Sequence, residues 1–309
     1  MTNDRHMPPS RFEKRSDAVS LTIVVTHLVL VLAPLFIAAR LGPSPWLPVL
    51  WVWLGLTMNG LLNLMHEAAH FHVFRPRWAN DVLGRWVLGP LVLADFDGYR
   101  QRHWDHHRRL GEPDDPKVTY HVDIHGLHLP VLLLRCLTLI EAARKFRRQT
   151  DAHGEPAPGS SPAWIGRVVF AHAVLIGAVA AVAWWAHAPD GWRAMQAGVL
   201  AYGGVYLYGV ASLTVFAASL RAIAEYQIGP DGAARVGRAA LRNFACNPLT
   251  RLIFGAYGFG EHATHHQQPG IPYYRLGKVT RDLARQDPSY DPRFGYVRTL
   301  ALLARRGAS

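Results

Sequence analysis

The hydrophobic residues of this chain gather into four long stretches that charged residues rarely interrupt. An α-helix rises about 1.5 Å per residue, so roughly 20 apolar residues are enough to cross a ~30 Å hydrocarbon core. The pattern therefore predicts membrane-spanning helices at residues 21–39, 46–65, 163–186 and 195–220. The predicted fold class is an all-α integral membrane protein with four transmembrane helices.

The rest of the chain, residues 66–162 and 221–309, contains no clean apolar run of this length. Two shorter apolar stretches, at residues 82–94 and 124–140, carry arginine within them. We interpret them as segments that lie in the membrane interface. The sequence thus predicts one membrane-embedded domain over residues 1–309, in which the two non-spanning regions form a histidine-rich cap.

The distribution of positive charge predicts the orientation of the chain. There are 33 Lys and Arg against 22 Asp and Glu, a net charge of +11, yet the short turns within the two span pairs carry only Arg40 and Arg193. Lys and Arg accumulate on the cytoplasmic side of membranes. We therefore expect both termini and the cap on that side, with an uncleaved first helix. No nucleic-acid-binding motif accompanies the charge, so we expect no nucleic-acid partner.

Composition agrees with a membrane protein and restricts the kind of metal site. Charged residues make up 18% of the chain, below the roughly 25% of soluble domains. The two cysteines, Cys136 and Cys246, lack the CxxC spacing of zinc and iron–sulfur sites. Any metal chemistry must therefore use other side chains.

Histidine clusters are the most informative pattern in the sequence. The spacing HxxHH occurs twice, and residues at i, i+3 and i+4 of a helix lie on one face. A third cluster, HExxH, places two histidines one turn apart. With the predicted topology, all three clusters fall on the same side of the membrane. Their members are His66, His70, His103, His106, His107, His262, His265 and His266.

Neutral imidazole is the commonest metal-binding side chain and suits iron, copper, zinc and nickel. Eight histidines supply about four nitrogen ligands to each of two ions, whereas one ion cannot use eight. We therefore predict that all eight bind a two-metal centre. For four other histidines near the clusters in sequence, a structural role is favoured over contact with the ligands: His72, His121, His125 and His128.

Two alternatives stay open at this point. The HExxH at His66 and His70 also matches zinc peptidases, in which the glutamate is the general base. That interpretation leaves the other six clustered histidines unexplained. A membrane protein that binds metal without catalysis is the second alternative.

The motifs around the clusters resemble those of the membrane fatty acid desaturase and hydroxylase superfamily, which carries HxxxH, HxxHH and HxxHH boxes around two irons. The resemblance covers residues 66–116 and 262–276. It includes Phe74, Asn80 and Gly84 after the first box; Tyr99, Arg100, Gly111, Asp115 and Pro116 around the second; and Pro269, Pro272, Tyr274 and Leu276 after the third.

The resemblance implies a centre of two iron ions, with O₂ as co-substrate, that introduces a double bond into a fatty acyl or similar apolar chain. A hydroxylase, a ketolase or an oxidative decarboxylase would use the same scaffold. The substrate chain would be carried as an acyl-lipid, an acyl-CoA or an acyl-carrier conjugate. The sequence has no flavin, nicotinamide, haem or iron–sulfur motif, so a ferredoxin-, rubredoxin- or cytochrome-type donor is expected to supply electrons.

One departure from the family pattern concerns the iron ligands. Many members carry a further histidine ligand in an R-x-x-x-E-H segment after the last span, but here Arg221 and Glu225 are followed by Tyr226. An oxygen ligand, an open position or a histidine from elsewhere would each be compatible with this change. We also expect Glu67 to hydrogen-bond a ligand imidazole, whereas Asp105 could equally be a surface acid.

Overall fold

The computed structural model describes residues 16–151, 162–229, 231–291 and 295–306. Within these ranges the chain is helical, with two isolated β-bridges and no strand. In chain order the helices are α1 (Asp17–Leu41), α2 (Leu47–Ala69), α3 (Arg77–Leu83, continued by the π-helical Gly84–Leu88 and by Gly89–Leu91), α4 (Phe96–Arg108), α5 (Val118–His125), α6 (Leu129–Leu137), α7 (Ile140–Asp151), α8 (Ala163–His187), α9 (Gly191–Glu225), α10 (Pro248–Ile253), α11 (His262–Gln267), α12 (Tyr273–Ala284) and α13 (Tyr296–Arg306).

The prediction of four membrane-spanning helices is confirmed as far as length and composition go, because α1, α2, α8 and α9 are each long and apolar enough to cross a membrane. Their bounds differ from the prediction mainly at the ends. Helix α2 continues through Ala69, so His66 lies in its last turn rather than just beyond it.

The outer faces of these helices are apolar, as contact with lipid requires. On α8 the side chains of Val169 and Phe170 are 63% and 61% exposed. Soluble proteins rarely expose apolar patches of this extent. In a bilayer, an apolar face with all backbone polar groups paired inside the helix is the stable arrangement.

The two short turns lie at the same end of the helices. The guanidinium of Arg40, at the end of α1, lies 5.5 Å from the ring of Trp185 near the end of α8. The imidazole Nε2 of His187 lies 3.3 Å from the carbonyl oxygen of Ala39. Helices α2 and α9 both run from this end to the opposite end, where the first histidine cluster lies in the last turn of α2. Histidines of the other two clusters meet it there, as predicted.

Helices α2 and α9 approach closely in mid-span. The hydroxyl of Thr214 donates to the carbonyl oxygen of Gly55 at 3.0 Å, and the indole Nε1–H of Trp51 donates to Ser212 Oγ at 3.3 Å. A β-carbon on Gly55 would lie 2.4 Å from Cβ of Leu213. The contact thus requires glycine at position 55. It fixes α2 against α9, the two helices that carry the first histidine cluster and Glu225.

The loop after α2 and helix α4 are held by polar contacts. The side-chain oxygen of Asn80 accepts from the amides of Val73 and Phe74 at 3.0 and 3.1 Å, and its amide donates to two carbonyl oxygens of the same loop. The guanidinium of Arg85 donates to both carboxylate oxygens of Asp97 at 2.8 and 2.9 Å. These bonds set the orientation of α4 and of the second histidine cluster.

The α2–α9 contact gives a prediction about stability. Gly55→Ala should lower the free energy of unfolding by about 1–3 kcal/mol, the usual range for overpacking a core, and should reduce the thermal unfolding temperature in detergent.

Gly177→Ala is the matched control, since a β-carbon at this exposed position on α8 meets no other atom within 4 Å. It should leave stability unchanged or raise it by up to about 1 kcal/mol through helix propensity. Equal unfolding temperatures for the two variants would contradict the proposed packing.

Candidate metal centre

The first histidine cluster is oriented by the carboxylate between its two members. Nδ1 of His66 donates to Glu67 Oε1 at 2.8 Å, and His72 Nδ1 donates to the other oxygen at 3.2 Å. Nε2 of His66 is buried and has no hydrogen-bond partner among the described residues. An imidazole that donates through Nδ1 keeps its lone pair on Nε2. The expectation that Glu67 bonds to one of the clustered imidazoles is confirmed, and His72 reaches the site through that glutamate.

Five histidines from all three clusters meet beside the end of α2. One ring nitrogen from each lies within 4.8 Å of those of the other four. His70 Nε2 lies 2.7 Å from His103 Nε2 and 3.2 Å from His265 Nε2. His107 Nε2 lies 3.0 Å from His103 Nε2. We call this set the five-histidine group: His66, His70, His103, His107 and His265.

His106 turns away from that group although it lies on the same helix. Its Nδ1 donates to Asp115 Oδ1 at 2.8 Å. The carboxylate of Asp115 in turn accepts from the amides of Gly111 and Lys117 at 3.0 and 2.9 Å. Gly111 has φ +78° and a β-carbon there would lie 2.1 Å from the carbonyl oxygen of Arg235, so this turn requires glycine.

The third cluster contributes a second set of nitrogens. His262 Nδ1 donates to Glu225 Oε2 at 2.9 Å, and the hydroxyl of Tyr296 donates to Glu225 Oε1 at 2.8 Å. His266 Nε2 lies 3.2 Å from His262 Nε2. The ring centroid of His106 is 4.9 Å from that of His266. We call these three the three-histidine group: His106, His262 and His266.

The two groups are neighbours. The rings of His107 and His266 stack with centroids 4.0 Å apart, and those of His66 and His262 lie 6.3 Å apart. Helices α4 and α11 each contribute to both groups. All eight side chains that the sequence predicted as ligands therefore lie together in one continuous cluster.

Tyr226 lies at the edge of the three-histidine group. Its hydroxyl is 2.8 Å from His106 Nε2. On its other side the ring of His121 stacks with centroids 3.6 Å apart and an interplanar angle of 18°. His121 is buried, and neither of its ring nitrogens has a hydrogen-bond partner among the described residues.

Burial keeps the histidines outside the spans neutral. Desolvation lowers the pKa of His103, His107, His265 and His266, and neighbouring positive charge on Lys117 or other imidazoles lowers it further. For His106 the pKa falls to about 4, although Asp115 opposes the shift. Neutral imidazoles are the form that binds metal.

Lys117 lies against the second histidine cluster. Its Nζ lies 3.2 Å from His103 Nδ1, and burial lowers the pKa of Lys117 to about 7. The other ring nitrogen of His103, Nε2, faces His70 and His107.

The residues fit a metal centre. The Nε2 atoms of His70 and His103 each lie within 3.2 Å of two other Nε2 atoms, although a neutral ring nitrogen carries one proton or one lone pair and can pair with only one of them. The buried Nε2 of His66 has no partner among the described residues. A buried polar atom without a partner is costly, and a cation would remove both problems. Cluster geometry of this kind, with Nδ1 held by carboxylates, is typical of histidine metal sites.

Comparison with known proteins agrees with this geometry. Residues 43–298 match the family described as "Fatty acid desaturase". The chain belongs to the fatty acid desaturase family. The prediction of family membership is thereby confirmed, and membership supports the prediction of an oxidoreductase.

Three relatives within the family show its range. The "sn-1 oleoyl-lipid 12-desaturase" of Synechocystis sp. is 28% identical over 103 residues, 33% of this chain and 28% of its own. The "sn-1 acyl-lipid omega-3 desaturase (ferredoxin)" of Nostoc sp. is 27% identical over 86 residues, 28% of this chain and 24% of its own. The "Omega-6 fatty acid desaturase, chloroplastic" of Arabidopsis thaliana is 32% identical over 92 residues, 29% of this chain and 19% of its own. The chain thus aligns with about a quarter of the length of these relatives.

The roles of four residues at the site could not be predicted from the sequence. Asp115 and Glu225 belong to sequence motifs of the resemblance, and the structure shows that their carboxylates accept hydrogen bonds from His106 and His262. Lys117 and Tyr296 carried no sequence signal. Asp105 pairs with Arg108 on the surface of α4 rather than with a histidine, which is the second of the two roles considered for it.

A cavity of about 540 Å³ lies beside the segment that precedes His262, where Ala256 and Tyr257 line it. None of the eight clustered histidines lines it, so it is separate from the metal centre. Its walls are formed by residues that include His27, Cys246, Arg251, Tyr257 and Tyr273.

Proposed function

We propose that this protein is an O₂-dependent di-iron desaturase that introduces a double bond into a fatty acyl or similar apolar chain. One observation carries the proposal: in a chain of the desaturase family, eight imidazoles, seven of them buried and that of His107 half-buried, form two adjacent groups at one end of four membrane-length helices. The proposal extends to residues 1–309 acting as a single domain.

The ligand assignment follows the two groups. The five-histidine group would hold one iron and the three-histidine group the other. The second histidine cluster serves both, since His103 and His107 lie in the first group and His106 in the second. Imidazole binds iron well but also binds zinc and copper, so the family is the reason to choose iron.

Bound iron would supply the activation of O₂ and the removal of hydrogen from an unactivated C–H bond. The residues of this chain provide the setting. Asp115 and Glu225 each fix the tautomer of one imidazole, and Glu67 fixes those of His66 and His72. In the complete reaction the substrate loses two hydrogens, and O₂ takes these with two electrons and two protons to give two waters.

The substrate and the electron donor are inferred from the relatives. Two of them are named for acyl-lipid or oleoyl-lipid substrates, and one name includes ferredoxin. An acyl-lipid substrate suits a centre at the end of helices with lipid-facing apolar surfaces. We therefore propose an acyl-lipid substrate and a ferredoxin-type donor, for which the net charge of +11 would favour an acidic partner.

We place the metal centre and both termini on the cytoplasmic side. The support is the scarcity of positive charge in the two short turns. They carry only Arg40 and Arg193 among 33 Lys and Arg, and they lie at the end of the helices opposite the histidines. Positive charge is depleted on the outer side of membranes.

The function is tested by expressing the protein with a ferredoxin and its reductase in a bacterial host whose lipids are defined. Mass spectrometry should find acyl chains lighter by two mass units. His265→Ala should reduce this product by more than about 100-fold, since even the loss of a ligand's hydrogen-bond partner costs 10–100-fold.

His128→Ala is the matched control, because His128 is exposed at the start of α6 and outside both groups. It should retain full product. Chains heavier by 16 mass units would assign hydroxylation instead, and unchanged lipids with correctly inserted protein would contradict the proposed activity.

The orientation gives a separate prediction. A reporter that is active only in the cytoplasm should be active when fused after Ser309. The same reporter fused after Asp190, in the turn between α8 and α9, should be inactive. The reverse pattern would contradict the cytoplasmic placement of the centre.

A further inference from the structure

We propose that Tyr226 is a ligand of the second iron, binding through its phenolate oxygen where other family members are expected to use histidine. The inference rests on the proposed function, because it assumes a metal in the three-histidine group. It chooses one of the possibilities that the sequence left open at this position.

The position of the phenol oxygen is the first support. It lies 2.8 Å from His106 Nε2. Since His106 donates its Nδ1 proton to Asp115, Nε2 is the nitrogen available to a metal. An ion bound by His106 would therefore have the Tyr226 oxygen among its nearest neighbours.

The chain around Tyr226 holds this position rigidly. The preceding residue, Glu225, bonds to His262, so adjacent side chains reach two members of the three-histidine group. The amide of Tyr226 donates to the carbonyl oxygen of Ala222 at 3.0 Å. The ring is 6% exposed and is stacked on His121. The oxygen thus has little freedom to move away from the group.

The composition of the two groups is the second support. One group offers five imidazoles and the other offers three. The phenolate of Tyr226 would add a fourth protein ligand to the three-histidine group and would bring a negative charge. Binding of the cation would release the phenol proton to solvent, as metal binding does for other protonated ligands.

His121 is the competing ligand, because it is buried and its ring nitrogens have no partner among the described residues. Its ring, however, lies flat against the Tyr226 ring, and no nitrogen of the three-histidine group lies within hydrogen-bond distance of it. The phenol oxygen is within that distance of His106. The geometry therefore favours Tyr226, and His121 becomes an outcome of the test.

The experiment uses the full-length protein, purified in detergent, loaded with ferrous iron and oxidised in air. Ferric iron bound to phenolate absorbs visible light through charge transfer, and resonance Raman spectroscopy then detects phenolate vibrations; imidazole ligands give neither signal. Iron per chain and desaturation are measured on the same samples. The wild-type protein should bind two irons and show both signals.

Three variants complete the design. Tyr226→Phe should lose both signals, and Tyr226→His should keep two irons without them. Tyr120→Phe is the matched control, because this partly buried tyrosine bonds to Ser219 Oγ at 2.6 Å and should keep both signals. His121→Phe preserves an aromatic ring for stacking and should keep two irons and the phenolate signals.

The outcomes separate this inference from the proposed function. Two irons without phenolate signals in the wild type, or signals that persist in Tyr226→Phe, would overturn the inference while leaving the di-iron proposal intact. Loss of one iron in His121→Phe but not in Tyr226→Phe would assign the position to His121. Failure of the wild type to bind iron would overturn both.

Discussion

The structure depends on one electrostatic constraint, which is the convergence of many neutral imidazole nitrogens in a buried space. A neutral ring nitrogen carries one proton or one lone pair, so nitrogens that each face two others cannot all be paired, and buried polar atoms without partners are destabilising. His70, His103 and His265 nevertheless meet within about hydrogen-bond distance. Cations at the centre of the cluster would pair with these nitrogens, so the helices that carry them are best understood as a frame for metal.

Three carboxylates fix the orientation of imidazoles within that frame. Each of the three that bind an imidazole connects parts of the structure: Glu67 belongs to α2, Asp115 follows α4, and Glu225 ends α9. The bond from His262 to Glu225 is the clearest case, since it joins α11 of the cap to the last membrane-length helix across 37 residues of sequence. The close contact at Gly55 sets the relative position of α2 and α9, and therefore of Glu67 and Glu225. The packing of the membrane-length helices therefore affects which imidazole nitrogens carry protons, because Glu67 and Glu225 accept hydrogen bonds from His66 and His262.

The sequence predicted the spans and the eight clustered histidines because both depend on local patterns. Apolar length is a property of a single segment, and the HxxHH spacing places side chains on one helical face. The division into two groups was not predictable in the same way. The side chain of His106 points away from those of His103 and His107 because its Nδ1 donates to Asp115. The turn at Gly111 positions Asp115. The pairing of Glu225 with His262 and the approach of Lys117 to His103 arise from tertiary packing, which leaves no periodic signal. Tyr226 could be recognised as a departure from the family pattern, but its distance to His106 required the fold.

The most direct test of the account is anomalous diffraction at the iron absorption edge from crystals of the iron-loaded protein. The account predicts two neighbouring iron peaks, one among the five-histidine group and one beside His106, His262 and His266. A single peak bound by His66 and His70 with one further ligand would contradict it, and so would iron that binds only outside the cluster.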